Sequence, residues 1–352
     1  MSEAAASPSS FPDRADAIRS RIRARGGAAT IYDIAELAGV NPSTVSRALG
    51  KPGRISATTA ERVHAAAAEL EFRINPAARA LQTGKTGMLG LVVADITNPV
   101  VFDVVRGAEH EAAAAGYTLV IAESQESSEN EAEVIERLLP SVDGLILATT
   151  RLPPATIQDI ASRKSVVMIN NAVENVPSLV ADVEAGVHEV VEHLASLGHS
   201  SLLFLAGPPT SWISARRWEA IFAAAEQRGL AIVEVGPNAP TIGGGRAAIR
   251  RVLASRATAV IAYNDLMAIG LMQALAAEGV GVPDRVSVVG FDDIFGSELI
   301  VPALTTVRTD LEAAGRQAVS MTLEAPAAPS PPSATLLPTR LVVRGSTGPV
   351  PA

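Results

Sequence analysis

Two periodicities divide the chain. Between Thr30 and Phe72 apolar residues recur at helical spacing and no strand pattern occurs. Ile31, Ile34, Ala35 and Ala38 fall on one face of a first helix that Thr30 can cap, and Gly39-Val40 breaks it. Asn41 can cap a second helix running to about Leu49, with Pro42 suited to its first turn, where a missing amide hydrogen costs nothing. Lys51-Pro52-Gly53 reads as a loop, and Ser56 can cap a third helix reaching about Leu70. Asn75 to Leu81 suffices for one or two further turns, and Gln82 to Gly87 reads as a linker.

From Met88 the texture changes. Apolar runs at 89–96, 118–124, 142–150, 165–170, 201–207, 231–235, 259–265 and 286–293 alternate with amphipathic helical stretches. Near-continuous Val/Ile/Leu runs separated by helices indicate parallel sheets covered on both faces. The Ala/Pro/Ser stretch at 326–334 reads as a surface loop before a final strand, Leu341 to Val343. The expected fold is an all-α helical headpiece followed by an α/β body of two doubly wound parallel-sheet lobes. Its expected parts are a flexible leader at 1–29, a helical headpiece at 30–73, one or two further turns and a linker at 74–87, a two-lobed body at 88–345 and a tail at 346–352.

Composition narrows the class. A chain of 352 residues fits two or three domains, and 48% apolar content supplies sizeable cores. The absence of cysteine excludes disulfides and thiolate metal sites and fits a reducing compartment. No apolar run follows the arginines of the leader as in a signal peptide, and no 18-residue apolar window occurs, so a cytoplasmic protein is expected. The net charge of −8 is unevenly spread: residues 1–85 hold 12 basic and 8 acidic residues, the remainder 17 and 29. A basic arm on an acidic body points to a polyanion-binding module, although a solubilising extension has the same composition.

The chemistry that fits this arm is DNA reading. A helix-turn-helix needs a small residue inside its first helix (Ala35), a glycine at the turn (Gly39) and apolar pins (Ile34, Val40, Val45). Its second helix must offer polar side chains at its N-terminal end, where base edges lie within reach. Pro42, Ser43, Thr44, Ser46 and Arg47 occupy that end.

The run TIYDIAELAGVNPSTVSRAL, residues 30–49, resembles the headpiece of the lactose-repressor family, and the likeness continues to about Arg344. The resemblance implies a DNA-binding transcriptional regulator, a repressor, whose operator affinity is controlled by a small-molecule effector, and no enzyme. It places Pro42, Ser43 and Arg47 against bases and Thr44, Ser46 and Ser56 against phosphates, with Thr30 and Asn41 capping the two helices of the interface. Arg47 is the long donor suited to a guanine's O6 and N7. Asn75, Ala78, Arg79 and Leu81 resemble a hinge helix that folds on DNA and wedges its leucine into the minor groove. Leu81 also reads as a core residue at a domain junction. A homodimer on a near-palindromic operator follows from the same likeness.

In a two-lobed α/β body the ligand sits at the carboxyl ends of the strands. Asp95 in Asp-Ile-Thr-Asn-Pro, with Phe102 nearby, Asn264 and Asp292 stand at such ends and match the family's pattern, as does Arg217 in a helix. Carboxylates and an arginine suit the hydroxyls of a sugar, and Trp212 or Phe291 can cover its apolar face. Asn170-Asn171 replaces the family's Asp-Arg and removes a charge pair from the cleft. Asp182 and Asp265 read better as helix caps, and Asp293 as a loop brace.

Other signals carry less. His188 and His193 are five residues apart and do not share a helix face as zinc ligands would. Gly243-Gly244-Gly245 lacks the spacing of a dinucleotide loop, no phosphate-loop or hydrolase motif occurs, and no cofactor is implied. A soluble sugar-binding protein without a DNA role is the alternative; it predicts no signal at 30–81. A nicotinamide enzyme would need glycines where Asp95-Ile-Thr-Asn-Pro stands.

Overall fold

The computed structural model describes residues 11–50, 55–73, 84–324 and 334–350. Contacts divide the chain into two compact units, residues 1–84 and 85–352.

The first unit is helical: α1 (Phe11–Ala24), α2 (Ile31–Ala38), α3 (Pro42–Gly50) and α4 (Ala57–Glu69). Thr30 opens α2 with a reciprocal cap, its hydroxyl accepting from the Asp33 amide while Asp33 accepts from the Thr30 amide at 2.7 Å. Gly39 closes α2 at φ 66°, a left-handed conformation that a Cβ would strain. Ser56 caps α4 by accepting from the Thr59 amide. Ile34, Leu37, Val45, Val63 and Ala66 form the shared core.

The reading of residues 1–29 as a flexible leader is corrected for its second half. Residues 11–24 form α1, whose Ala15, Ile18 and Ile22 lie along one face and join that core. Five arginines between Arg14 and Arg25 disguise this stripe as a polar tail; packing against the neighbouring helices gives it somewhere to be buried. Lys51-Pro52-Gly53, Asn75, Ala78, Arg79, Leu81 and nearly all of the 326–334 stretch lie outside the described residues.

The second unit holds two six-stranded sheets. Lobe 1 takes β1 (Met88–Val93), β2 (Thr118–Glu123), β3 (Gly144–Ala148), β4 (Ser165–Ile169) and β5 (Ser178–Ala181), interleaved with α5 (Val100–Ala114), α6 (Ser128–Leu138) and α7 (Pro154–Arg163). Lobe 2 takes β6 (Ser201–Leu205), β7 (Ala231–Val235), β8 (Ala259–Ala262), β9 (Ser287–Phe291) and β10 (Thr305–Thr309). Its helices are α8 (Val183–Ser196), α9 (Trp212–Gln227), α10 (Ile242–Ala247), α11 (Ile249–Ser255) and α12 (Asp265–Ala277). The chain then returns to lobe 1 for α13 (Leu311–Leu323) and β11 (Thr335–Leu337), and ends in lobe 2 with β12 (Thr339–Val342). The sheet orders are β11-β5-β4-β3-β1-β2 and β12-β10-β9-β8-β6-β7.

All pairings are parallel except β10 with β12, because Pro338 alone separates β11 from β12 and no helix can return the chain. The eight apolar runs read from the sequence all contain strands. β5, β10 and β11 escape that reading because they are short or threonine-rich. Thr305 and Thr306 in β10 are fully buried, their groups bonded to Ser346 and Asp265.

Two helix pairs are fused by glycine. A Cβ at Gly107 in α5 would sit 1.9 Å from the Glu312 carbonyl oxygen, and one at Gly315 in α13 would sit 2.2 Å from that of Val104. In lobe 2, Gly245 and Gly270 bring α10 and α12 equally close, and a Cβ at Gly244 would meet the Ala239 carbonyl, which accounts for two of the three glycines at 243–245. Gly107→Ala must therefore push α13 off α5. We expect it to lower body stability by about 1–3 kcal/mol in denaturant melts of the purified chain.

Candidate DNA interface and effector site

On α3, Val45 and Ala48 point into the core, so the opposite face is free. Ser43 and Arg47, four residues apart, are exposed there, while Pro42, Thr44 and Ser46 are half-buried at its edges. The carbonyl of Asn41 accepts from the amides of Thr44 (2.8 Å) and Val45 (3.2 Å), starting the helix at the expected residue. Arg62 in α4 donates to the carbonyls of Ala38 and Gly39, locking the turn that sets the angle between α2 and α3. The hydroxyl of Ser56 is turned toward Thr59 within its cap. Tyr32, missed from the sequence, is 69% exposed in the first turn of α2. Its only signal was an aromatic residue outside the apolar stripe.

In the body, backbone strain marks the carboxyl ends of the strands. Among the described residues, six of nine non-glycine residues with positive φ lie there: Gln125 and Glu126 after β2, Thr149 after β3, Asn170 after β4, and Asp292 and Asp293 after β9. Such conformations persist only where surrounding contacts hold them, and they concentrate at functional sites.

Lobe 2 gathers the densest polar cluster. The Arg217 guanidinium donates to the Tyr263 carbonyl and, at 3.1 Å, to Asp292 Oδ1. Its carbon lies 4.3 Å from the centre of the Phe291 ring and 5.3 Å from that of Tyr263. The buried Arg217 Nε has no protein partner. Burial pushes the Asp292 carboxyl up, against the pull of Arg217.

Phe291 is buried beneath the guanidinium, so it supports Arg217 and does not form a wall of the cleft. Asn264 is buried as well; its Oδ1 caps α12 at Met267 (2.9 Å) and its Nδ2 donates to the Pro240 carbonyl (3.0 Å). Trp212 opens α9, half-buried, and the adjacent Ser211 bonds the Tyr263 hydroxyl at 3.1 Å. Tyr263, also missed, reads from sequence as an ordinary apolar strand end.

Beneath this cluster lies Asp265. It accepts from the Ile294 amide and from the hydroxyls of Ser297 and Thr306, so it ties together the loops after β8 and β9 and does not cap α12. Complete burial, with the neighbouring charge of Asp292, outweighs these bonds and pushes its pKa up to about 8. Asp182 caps α8, and Asp293 braces its loop through Arg308 and Arg344.

Lobe 1 contributes a second group. Asp95 Oδ1 accepts from both the amide (2.8 Å) and the hydroxyl (2.6 Å) of Thr97, which folds the loop after β1. Phe102 is exposed on α5, and Asn170 accepts from the Ala181 amide at 3.3 Å. Arg151, overlooked in the sequence, is buried against Glu126 and the Thr149 carbonyl, while Glu131 accepts from its amide. Among the described residues no hydrogen bond joins Asp95, Phe102 or Asn170 to the lobe 2 cluster. His188 and His193, read as poor zinc ligands, contact Glu192 and Thr347 respectively.

A helix-turn-helix with an exposed arginine on its second helix, and a two-lobed α/β body with strained strand ends, define a DNA-binding regulator with a sensor body. Residues 30–75 match the family described as bacterial regulatory proteins, lacI family, and residues 191–347 match a periplasmic binding protein-like domain. The ribose operon repressor of Halalkalibacterium halodurans is 32% identical over 324 residues, spanning 90% of this chain and 97% of that protein. A lac repressor dimer bound to operator and an anti-inducer superposes with a TM-score of 0.82 at 27% identity, covering 91% of this chain and 99% of its own. A ribose-bound regulator from Enterococcus faecalis gives 0.67 at 25% identity, covering 75% and 99%. The chain belongs to the lacI family of bacterial regulatory proteins. It is a DNA-binding transcriptional regulator, and its match at 30–75 leaves the reading without a DNA role unsupported.

Asp265 yields a pH test. A carboxyl whose folded pKa lies near 8 stabilises the fold fully below about pH 3.8 and loses that contribution as pH rises toward 8. We expect the melting point of Asp265→Asn, relative to wild type, to climb between pH 5 and pH 8. A constant difference would mean that Asp265 is ionised throughout.

Proposed function

We propose that the protein is a cytoplasmic homodimeric repressor whose hold on a near-palindromic operator is set by a sugar-like effector. The observation that carries the effector assignment is the buried Arg217–Asp292 pair, which presents an unpartnered Nε beside a carboxylate at the strained end of β9. Forked donors next to an acceptor suit adjacent hydroxyl groups. Similarity to a ribose operon repressor and to a ribose-bound regulator supports a sugar. Asp95 and Asn170 are assigned to the opposite wall, with Phe102 at its rim; Trp212 covers the apolar face, and Asn264 orients the loop behind Arg217.

On the DNA side, Arg47 and Ser43 are assigned to bases with Pro42 beside them. Thr30, Thr44, Ser46 and Ser56, together with Tyr32, are assigned to the phosphate backbone, and Asn41 sets the start of the reading helix. Segment 74–87 is the proposed hinge, with Asn75, Ala78, Arg79 and the wedge Leu81. The second copy is placed on the apolar patch of Phe295, Leu299 and Val301, the last 97% exposed, in keeping with the dimeric lac repressor. Effector binding that alters the angle between the lobes needs a coupling of only about 1–3 kcal/mol to change operator affinity roughly 5–150-fold.

Two substitutions test the two ends. Arg47→Ala should cost about 1–3 kcal/mol on the duplex the wild type selects from a random pool, with little change on random DNA. Equal losses on both would remove Arg47 from base reading. In a thermal-shift screen of sugars and polyols, Asp292→Ala should abolish the stabilisation produced by the strongest hit. A shift that survives it would place the effector elsewhere.

A further inference from the structure

The family match begins at Thr30, so α1 precedes what it describes. Residues 30–73 are electrically neutral as a set: Arg47, Lys51, Arg54, Arg62 and Arg73 are offset by Asp33, Glu36, Glu61, Glu69 and Glu71. A duplex presents about one negative charge per 1.7 Å of axis, and a module of zero net charge gains no net long-range attraction to it beyond its local phosphate contacts. α1 lies against three of the five carboxylates responsible. Arg25 pairs with Asp33 in the first turn of α2, Arg21 with Glu36 further along it, and Arg19 with Glu69 at the end of α4. Arg19 also donates to the Glu69 carbonyl at 2.9 Å and pairs with Asp16 of α1 itself at 2.8 Å, and Arg25 donates to the carbonyl of Ala28 at 3.0 Å. Residues 11–25, with five arginines against Asp13 and Asp16, still bring net positive charge.

These pairs are mostly half-exposed and contribute little stability one by one. Their long-range effect does not require strong pairing, because the field at a duplex sums charges wherever they sit within a screening length. Burial of Ala15 and Ile18 holds the helix in place, so the arginines are fixed beside the acidic groups and not trailing on a loose tail.

We propose that α1 is a counter-charge helix: it cancels three of the DNA-reading module's own carboxylates and so turns a neutral helix-turn-helix into a cationic one. The proposal rests on the reading of residues 30–73 as the DNA interface. It raises affinity for every duplex and leaves the preference among sequences to α3.

The test is the full-length triple variant Arg19→Gln, Arg21→Gln, Arg25→Gln, compared with the matching Arg→Lys variant on the wild-type-selected operator and on a random duplex. The Gln variant should bind both duplexes about three- to thirtyfold more weakly at about 0.05 M salt, with the deficit shrinking as salt rises. The Lys variant should bind as wild type does. Unchanged affinity in the Gln variant, a loss confined to the operator, or an equally weak Lys variant would each overturn the assignment. Should the Gln variant lose helix by circular dichroism, Glu36→Gln, Glu69→Gln replaces it. Freed of the carboxylates, that protein should bind both duplexes more tightly, and no gain would overturn the proposal. If wild type itself failed to prefer any duplex, the DNA reading would fall first, and separately.

Discussion

The body depends on three crossings of the chain between its lobes, near Asp182, Asp310 and Pro338. Each lobe is assembled from discontinuous segments, so neither sheet is complete until the other has been visited. The crossings are short and tied down. Asp182 and Asp310 cap the helices that follow them, the Asp182 amide donates to the Leu337 carbonyl, and Thr339 donates to the Asp182 carbonyl at 2.7 Å. Three adjacent short strands of backbone between two well-packed bodies leave rotation about the crossings as the soft motion, since the cores themselves resist deformation.

That constraint explains why the polar machinery sits at the carboxyl ends of the strands. The loops there carry backbone strain at Thr149, Asn170, Asp292 and Asp293, and side chains already satisfied within one lobe. Asp292 pairs with Arg217, while the completely buried Asp265 meets the charge of Asp292, an arrangement costly for the fold alone. Asp265, beneath the Arg217–Asp292 cluster, holds the segment from Ile294 to Ser297, which adjoins the exposed residues Leu299 and Val301. Asp292 and Asp265 are linked by charge, and Asp265 in turn by hydrogen bonds to Ile294 and Ser297, next to the apolar patch assigned to the partner subunit.

The headpiece follows a different economy. Its helices are short, and most of their stability must come from one small core and from end caps. Thr30, Gly39 and Ser56 supply caps whose residue types announce them; Ile34, Val45 and Val63 supply the core. The same core accepts α1, so a basic helix becomes part of a rigid surface.

How much was legible follows from where the physics is local. Caps, helical and strand periodicity and the glycine at the turn depend on residues a few positions apart, so the helix-turn-helix and eight strands could be read directly. The sequence alone determined which residues form the exposed face of α3 and that the body is built of parallel strands. Only the tertiary structure decided that α1 is a packed helix, that Thr305 and Thr306 lie in a buried strand, that Phe291 supports Arg217, and that Tyr263 and Arg151 belong to the polar clusters. Each of these depends on a partner distant in the chain: a core to cover an arginine-rich helix, an Asp265 carboxylate to satisfy a threonine, a guanidinium to lie on an aromatic face. Such partners leave no spacing or periodicity in the sequence.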